Sequence, residues 1–339
     1  MTTTTEIDES SKHLFNNPQI EALDREIQSC FMEQGGKFFI LFDNLDDDYD
    51  LNPQFTATMV DSLINAGIQI MRQSRFVRPI IFIRNDILSY IANSKNSAVA
   101  QMRSNKVELT WTERKLLSVL NSRFSNYFYQ SKPEKGEESH PSKYLKRVFP
   151  TNYIYYGSGG VKKIKPIGFY ITERSLLRPR EILQFCRKMI EVNDYKIPLT
   201  NRDIQESEPR YVAEFMDDLC AEYKNLYPNL RDVLELFRKG RHERDTVGWN
   251  WTVSDLKRLF ESNTYLNNHR HEALSFGDSV NALFKVGFLR AVSKTKRPGK
   301  HEERRYISST EEPDFPTDNV DEFDVHRVFR SQLKLEKRT

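Results

Sequence analysis

The sequence predicts an α/β fold with a helical carboxy-terminal region, and two apolar runs joined by a helical pattern are the main indication. The first run, Phe38–Phe42, leads directly into a carboxylate cluster that begins at Asp43. The second run, residues 80–83, leads into Arg84. Residues 55–71 between them carry apolar side chains at helical spacing. A strand, a helix and a strand within about fifty residues match a parallel βαβ crossover.

The composition limits the class of protein. A chain of 339 residues has room for two or three domains, and a formal net charge of +3 is nearly neutral for that size. The three cysteines are far apart and lack the spacing of a zinc site. Residues 1–16 are polar and are predicted to be a disordered start, and no apolar stretch is long enough to span a bilayer. We therefore expect a cytoplasmic protein with no membrane partner.

Further elements of the predicted first domain, residues 17–192, lie on either side of the crossover. A helix over residues 18–32 precedes the first strand, because its apolar residues recur at helical spacing and a Gly pair follows. After the crossover the sequence predicts, in order, a helix over 111–128, an exposed loop over 131–142, a hairpin over 153–164, a third core strand over 169–172 and a helix that begins near Pro179.

A second domain is predicted over residues 211–339, after a polar linker at 193–210. It begins with a helical stretch that Pro228 interrupts. Two helices over 253–260 and 279–286 then precede strands over 288–292 and 304–308, with a basic turn between the strands. Two helices followed by a two-stranded wing predict a winged-helix module.

Charged residues follow both predicted strands of the crossover. Asp43 and Asp46 are suited to hold Mg²⁺, whereas the alternative is an acidic turn that caps the next helix. Arg84 and Asp86 are suited to read a phosphate group, whereas the alternative is an exposed ion pair of little energetic value. Because parallel strands end at the same edge of a sheet, we interpret the four residues as one candidate site.

Two arginines flank Pro179 at the start of a predicted helix. Positive charge is disfavoured at a helix start by the helix dipole, so Arg178 and Arg180 indicate a role other than helix stability. Contact with a phosphate group and pairing with a carboxylate are the two alternatives.

The order of these motifs resembles that of a known ATPase family. The segments FFILFDNLD, PIIFIRNDI, LTW with the helix after it, and LRPREILQFC are similar in order to Walker B, sensor 1, the post-sensor helix and sensor 2. This series resembles the Sll1717-type bacterial P-loop ATPases, which are related to the STAND and AAA+ ATPases, and it covers nearly the whole chain. The resemblance implies a partial P-loop NTPase core of the ASCE type, followed by an α-helical region and a winged-helix domain.

The resemblance also implies roles for individual residues. Asp43 would be the magnesium-side carboxylate, Asp46 a second acid, Arg84 a sensor 1 counterpart, and Arg178 or Arg180 the sensor 2 arginine. In many relatives a Glu follows the Walker B Asp and polarises water, and here that residue is Asn44. An amide orients water but does not accept its proton, so hydrolysis would need Asp46 or another base.

The phosphate loop of such ATPases is missing from the sequence. The motif G-x-x-x-x-G-K-[ST] does not occur, since the two Gly-Lys pairs are followed by Phe38 and His301. Without the strand that leads into this loop, the Phe38–Phe42 strand is expected to have an exposed edge. We expect a partner protein or a second copy of the chain to cover that edge.

Three functions follow as hypotheses. The first is a non-catalytic or partner-dependent ATPase-like regulatory or scaffold subunit, which as an isolated chain is not an enzyme and needs no cofactor. The resemblance associates it with bacterial or phage-related defence. The second is half of a split ATPase that hydrolyses ATP with Mg²⁺ once a partner brings a Walker A segment.

The third hypothesis is a winged-helix DNA-binding protein. A positively charged wing can track DNA phosphates, whereas the alternative is a solvated hairpin tip in a module that packs against protein. The candidate DNA-binding residues are Lys294, Lys296, Arg297, Lys300 and Arg304.

Overall fold

The protein is described by a computed structural model in which the described residues are 18–34, 36–45, 53–84, 88, 91, 104–129, 144–156, 162–238, 248–261, 263–295, 303–312 and 315–335. The chain forms two compact units, residues 1–107 and 108–339. The predicted linker at 193–210 falls inside the second unit, because the helices that begin at Pro179 and Asn201 pack against each other.

The first unit is the parallel βαβ crossover that the sequence predicts. Near the end of its first helix, the ring of Phe31 packs against the rings of Phe38 and Phe76. In chain order, the unit contains helix α1 (Pro18–Gln34), strand β1 (Phe38–Phe42), helix α2 (Pro53–Gln73) and strand β2 (Val77–Ile81).

A continuous hydrophobic core fills the second unit. At its centre Phe185 stacks on Tyr211 with ring centroids 4.5 Å apart. The predicted hairpin and the helix at Pro179 are confirmed. The first part of this unit contains helix α3 (Glu113–Tyr129), helix α4 (Leu145–Val148), strand β3 (Asn152–Tyr156), strand β4 (Lys162–Pro166), and helices α5 (Ile167–Thr172), α6 (Pro179–Val192), α7 (Asn201–Glu222) and α8 (Leu230–Glu235).

Two predictions in this region are wrong. Residues 169–172 are not a core strand but part of α5, because Ile167, Tyr170 and Ile171 place their apolar side chains on one helical face in the core. Residues 201–210 are not linker but the first turns of α7, which a reciprocal capping box between Thr200 and Asp203 starts. Their polar composition reflects the exposed face of an amphipathic helix.

The last part of the second unit contains the predicted pair of helices and the two-stranded hairpin. The sequence analysis missed two short strands, Asn250–Thr252 and Glu322–Val325, which join the hairpin in one antiparallel sheet. Glu322–Val325 lies between Asn250–Thr252 and the first strand of the hairpin. The elements are strand β5 (Asn250–Thr252), helices α9 (Val253–Glu261) and α10 (Phe276–Lys285), strands β6 (Leu289–Thr295), β7 (Glu303–Ile307) and β8 (Glu322–Val325), and helix α11 (Arg327–Arg330).

Candidate functional site

Strands β1 and β2 end side by side in the first unit. The backbone N–H of Phe82 donates to the carbonyl oxygen of Phe42 at 2.9 Å. Asp43 directly follows β1 and is exposed, while Arg84 follows β2 and is half-buried. The structure therefore places Asp43 and Arg84 at the same edge of the sheet. Two other residues predicted for this site lie outside the described residues, Asp46 and Asp86.

The residue after Asp43 has a left-handed backbone. Asn44 has φ of 56°, and its N–H donates to the Oδ1 atom of Asp43 at 2.9 Å. Asn is among the few residue types that adopt this conformation readily, because its short polar side chain can hydrogen-bond locally. The backbone thus gives a physical reason for the amide at this position, where the family resemblance would place a Glu.

Arg178, in the second unit, is held by two carboxylates. Its guanidinium lies 2.8 Å from Glu222 and 3.7 Å from Glu181. Burial alone would lower the pKa of Arg178, but the carboxylates, Glu222 first, raise the pKa above its ordinary value. The guanidinium is therefore engaged in pairing with carboxylates, which is one of the two alternatives that the sequence leaves open.

The cleft beside Arg178 is rich in carboxylates. Burial raises the pKa of Glu181 to about 7, although Arg178 and the Leu176 N–H both favour its charged form. Asp218 also lines the cleft, whereas Arg180 is an exposed cation at its rim. Because carboxylates repel phosphate groups, the cleft by itself is a poor phosphate site. Glu181 belongs to α6, and the sequence analysis missed the acids that α7 contributes, because no sequence spacing shows that α7 packs beside α6.

The described part of the basic wing is also paired. Lys294 and Arg304 face each other across the β6–β7 ladder, and they lie 2.5 Å and 3.0 Å from Glu322 of β8. Glu322 is buried, so both cations help to neutralise an internal charge. The other candidate DNA-binding residues, Lys296, Arg297 and Lys300, lie outside the described residues.

One face of the β1–β2 sheet bears exposed apolar side chains. The side chains of Pro79 and Ile81 face α2, because a Cβ atom added at Gly67 of α2 would lie 3.4 Å from both. The residues of β1 that pair with them in register face the same side. Because side chains alternate along a strand, the residues between them face the opposite side. On that side the exposed fractions are 51% for Phe39, 61% for Leu41, 38% for Ile80 and 42% for Phe82.

The outer edges of the two strands differ in their backbone groups. The backbone N–H groups of Phe38 and Phe82 each donate to a carbonyl oxygen across the strand pair. Backbone groups alternate in direction along a strand, so the N–H groups of even-numbered residues point towards the other strand. The N–H groups of odd-numbered residues point away from it. The outer edge of β1 therefore presents the N–H and C=O groups of Phe39 and Leu41. The outer edge of β2 includes Pro79, which has no N–H to donate.

Comparisons with known proteins give two findings. A family model described as the FunZ-associated C-terminal helical domain matches residues 114–220, from the first turn of α3 to near the end of α7. The chain is also 21% identical over 287 residues to a protein of Escherichia coli (strain K12) described as "Putative transposon gamma-delta 80.3 kDa protein". That match covers 83% of this chain and 38% of the longer E. coli protein. No solved structure matches the chain.

Among the described residues, no group of three or more His, Cys, Asp or Glu side chains is arranged to hold a metal ion. Within the described ranges, no helix has the length and apolar character needed to cross a membrane. Cys186 is a buried free thiol, and burial raises its pKa above the ordinary value, which disfavours the reactive thiolate.

Proposed function

We propose that this chain is the Walker B half of a P-loop ATPase-like module and that it acts as a regulatory or scaffold subunit dependent on a partner. The apolar face that the described residues of the β1–β2 sheet leave exposed supports the proposal, because parallel sheets in proteins have both faces covered. The isolated chain then binds no nucleotide at Asp43. ATP and Mg²⁺ bind only when another polypeptide segment supplies the phosphate loop.

The apolar face offers substantial binding energy to such a segment. Phe39, Leu41, Ile80 and Phe82 are each about 40–60% exposed. Since full burial of one such side chain contributes roughly 1.5–3 kcal/mol, covering the four would contribute roughly 3–6 kcal/mol. This binding energy is a sizeable fraction of the free energy of unfolding of a whole domain.

The backbone of β1 offers a second means of attachment. The outward N–H and C=O groups of Phe39 and Leu41 can pair with one added strand, which is the β-augmentation mode of recognition. The completing segment thus adds a strand beside β1 and covers the apolar face. The E. coli relative is much longer than the matched region, so in that protein further segments accompany the part that resembles this chain.

In the completed site the charged residues would take the roles that the family resemblance implies. Asp43 would act on the magnesium side, and Arg84 at the same sheet edge would contact the nucleotide phosphates. In the second unit, considered by itself, Arg178 could contact a phosphate only by exchanging its carboxylate partners, whereas Arg180 is already exposed. The proton of the attacking water would go to Asp46 or to a base from the partner, because Asn44 cannot accept it.

Calorimetric titration of the isolated chain with Mg²⁺ and ATP tests the proposal. We expect no ATP binding that depends on Asp43, so the Asp43→Ala variant should give the same titration as the wild type. Micromolar binding that Asp43→Ala abolishes would show that the site is complete without a partner. Sedimentation analysis identifies one possible partner: if it is a second copy, a dimer should form and Leu41→Glu should dissociate it.

DNA binding is a second candidate, which the word transposon in the description of the E. coli relative favours. The pairing of Lys294 and Arg304 with Glu322 weakens it, and Asp278 and Asp318 place negative charge at the start of α10. The test is the affinity for a DNA duplex at several salt concentrations. DNA binding requires an affinity that falls with salt and that drops when Lys294, Lys296, Arg297 and Lys300 are neutralised together.

A further inference from the structure

Three cations converge on one carboxylate in the second unit. Lys165 of β4 and Arg327 of α11 each form an ion pair with Glu173, just after α5. Arg174 lies 3.5 Å from the same carboxylate. Only 11% of the Glu173 side chain is exposed, so water screens these charges weakly. The arrangement gathers positive charge from three separate elements around a single negative group.

The third cation, Arg174, is fixed on a second acid. It lies 3.0 Å from Glu208 of α7, and its guanidinium stacks 4.0 Å from the centre of the Tyr170 ring. The Tyr170 hydroxyl donates to the same Glu208 carboxylate. The exposed fractions of the Arg327, Lys165 and Arg174 side chains are 33%, 19% and 17%. Arg327 is therefore the most accessible of the three cations.

More positive charge adjoins the three. Arg290 and Arg330 both contact Asp324, whose side chain is fully buried. The pKa of the neighbouring His326 lies well below its ordinary value. Burial is the largest cause, and the positive charges of Arg290 and Arg330 lower the pKa further. The field at this position is therefore positive in spite of Asp324.

The same field acts on Lys165. The ion pair with Glu173 would raise the pKa of Lys165, but burial, followed by Arg327, Arg174 and other cations, lowers it to about 7. The net environment of the ammonium group is thus unfavourable to a further positive charge. An added anion would relieve this repulsion.

We propose that Lys165, Arg327 and Arg174 form a binding site for a phosphate group of a small molecule or of a nucleic acid. A phosphate group carries up to two negative charges and accepts hydrogen bonds from several directions, and guanidinium groups bind it in a bidentate manner. Lys165 and Arg174 lie within residues 114–220, which match the helical-domain family, and Arg327 comes from outside that range. All three residues belong to the second unit, and the proposed site does not depend on the proposed ATPase role.

Calorimetric titration of the full chain with inorganic pyrophosphate at low salt tests the site. We expect binding in the wild-type protein, and Arg327→Gln or Lys165→Gln should weaken it by at least about tenfold, since each removes a charged hydrogen-bond donor. Arg187→Gln is the matched control, because Arg187 is 67% exposed and pairs with Glu191 on α6. Circular dichroism establishes that each variant is folded, and either substitution suffices if the other unfolds.

Glu173→Gln separates a binding site from a purely structural network. Removal of the internal carboxylate leaves the cations without their shared partner, so pyrophosphate should bind more tightly than to the wild type. Absence of pyrophosphate and DNA binding at low salt, or an equal loss of affinity in Arg187→Gln, would overturn the proposal.

Parallel titrations identify the source of the phosphate group. Binding of pyrophosphate that Arg327→Gln weakens indicates a free phosphate compound. Binding of a short DNA duplex alone, with the same sensitivity to Arg327→Gln, indicates a nucleic-acid backbone. Should ATP bind, sensitivity to Arg327→Gln but not to Asp43→Ala assigns it to this site, so failure here and failure of the proposed function remain distinct results.

Discussion

The edge strands of the two units differ in how they avoid unwanted pairing. Strand β4 has the sequence KKIKP and β7 has the sequence ERRYI, so both place charges along an edge. Such charges discourage a second sheet from adding to the strand. Strand β1 has the sequence FFILF, with no charge and no proline. By this criterion β4 and β7 are protected against an added strand, whereas β1 is not, and neither is the uncharged β3 with the sequence NYIYY.

The faces of the two sheets differ in the same way. In the second unit, the inner strand β8 is buried along its whole length, and Phe323 and Val325 belong to the hydrophobic core. In the first unit, helix α2 covers one side of the β1–β2 pair, and the other side exposes Phe39 and Leu41. The second unit therefore buries this strand within its own core, whereas the described residues of the first unit leave one side of its strand pair exposed.

The largest expected loss of stability comes from a substitution in the core, and a substitution at an exposed position serves as the comparison. Phe288 is fully buried and packs edge-on against Phe237 and Phe329. Phe288→Ala should lower the free energy of unfolding of its unit by about 3–5 kcal/mol, because it leaves a cavity. Leu41→Ala should change stability by less than about 0.5 kcal/mol, because the side chain is already exposed. Urea denaturation measures both, and a large loss from Leu41→Ala would mean that β1 is covered in the isolated chain.

A slightly smaller effect is expected from the buried acid of β8. Asp324 is fully buried, and it accepts hydrogen bonds from Arg290 at 3.0 Å and from Arg330 at 2.7 Å. Asp324→Asn should cost about 3 kcal/mol, since it leaves two arginines without their shared carboxylate. The exposed Asp318→Asn is the matched control in urea denaturation. Equal costs for the two variants would refute the role of the buried pair.

The sequence predicts those parts of the fold that depend on local patterns. The βαβ crossover is one of them, because an apolar run beside a helical pattern is a local signal. The helix over residues 169–172 cannot be predicted in this way, because a short apolar run does not distinguish a strand from a buried helix. The packing of Tyr170 in the folded core favours the helix. The pairing of Arg178 with Glu222 joins residues from different helices, so no sequence spacing reveals it.

The pH dependence of stability tests whether the interior of the second unit excludes water. Burial lowers the pKa of His326 well below its ordinary value near 6.5, so the folded state keeps this side chain neutral. As the pH falls below 6.5, the unfolded chain binds a proton first, and the folded state loses stability. Relative to His326→Asn, the wild type should lose up to about 1.4 kcal/mol per pH unit in that range.

The variant is chosen to preserve local structure. The Nδ1 atom of His326 accepts a hydrogen bond from the Val328 N–H at the start of α11, and Asn can do the same. Glu181, whose pKa is raised to about 7, makes stability fall as pH rises, but it is common to both proteins and cancels in the difference. Parallel stability curves from pH 7 to pH 5 would show that His326 is reached by water.

The smallest expected effect on stability belongs to the edge of the first unit. Leu41→Glu should leave the free energy of unfolding within about 0.5 kcal/mol of the wild type, since Leu41 is 61% exposed. It should nevertheless reduce self-association in light scattering, because the charge blocks the strand edge. Leu109→Glu, at a 73% exposed position outside any strand, is the control. An equal reduction by both variants would point to general surface charge rather than to β1.

The left-handed turn at Asn44 limits how this chain could be converted into an active hydrolase by design. A glutamate at position 44 would add a proton acceptor and at the same time a backbone penalty of about 1–2 kcal/mol. An aspartate adopts the conformation more easily, but its carboxylate reaches one methylene less far. Placing a base beside Asp43 would therefore require a reshaped loop after β1, or a base from another segment, rather than a single substitution.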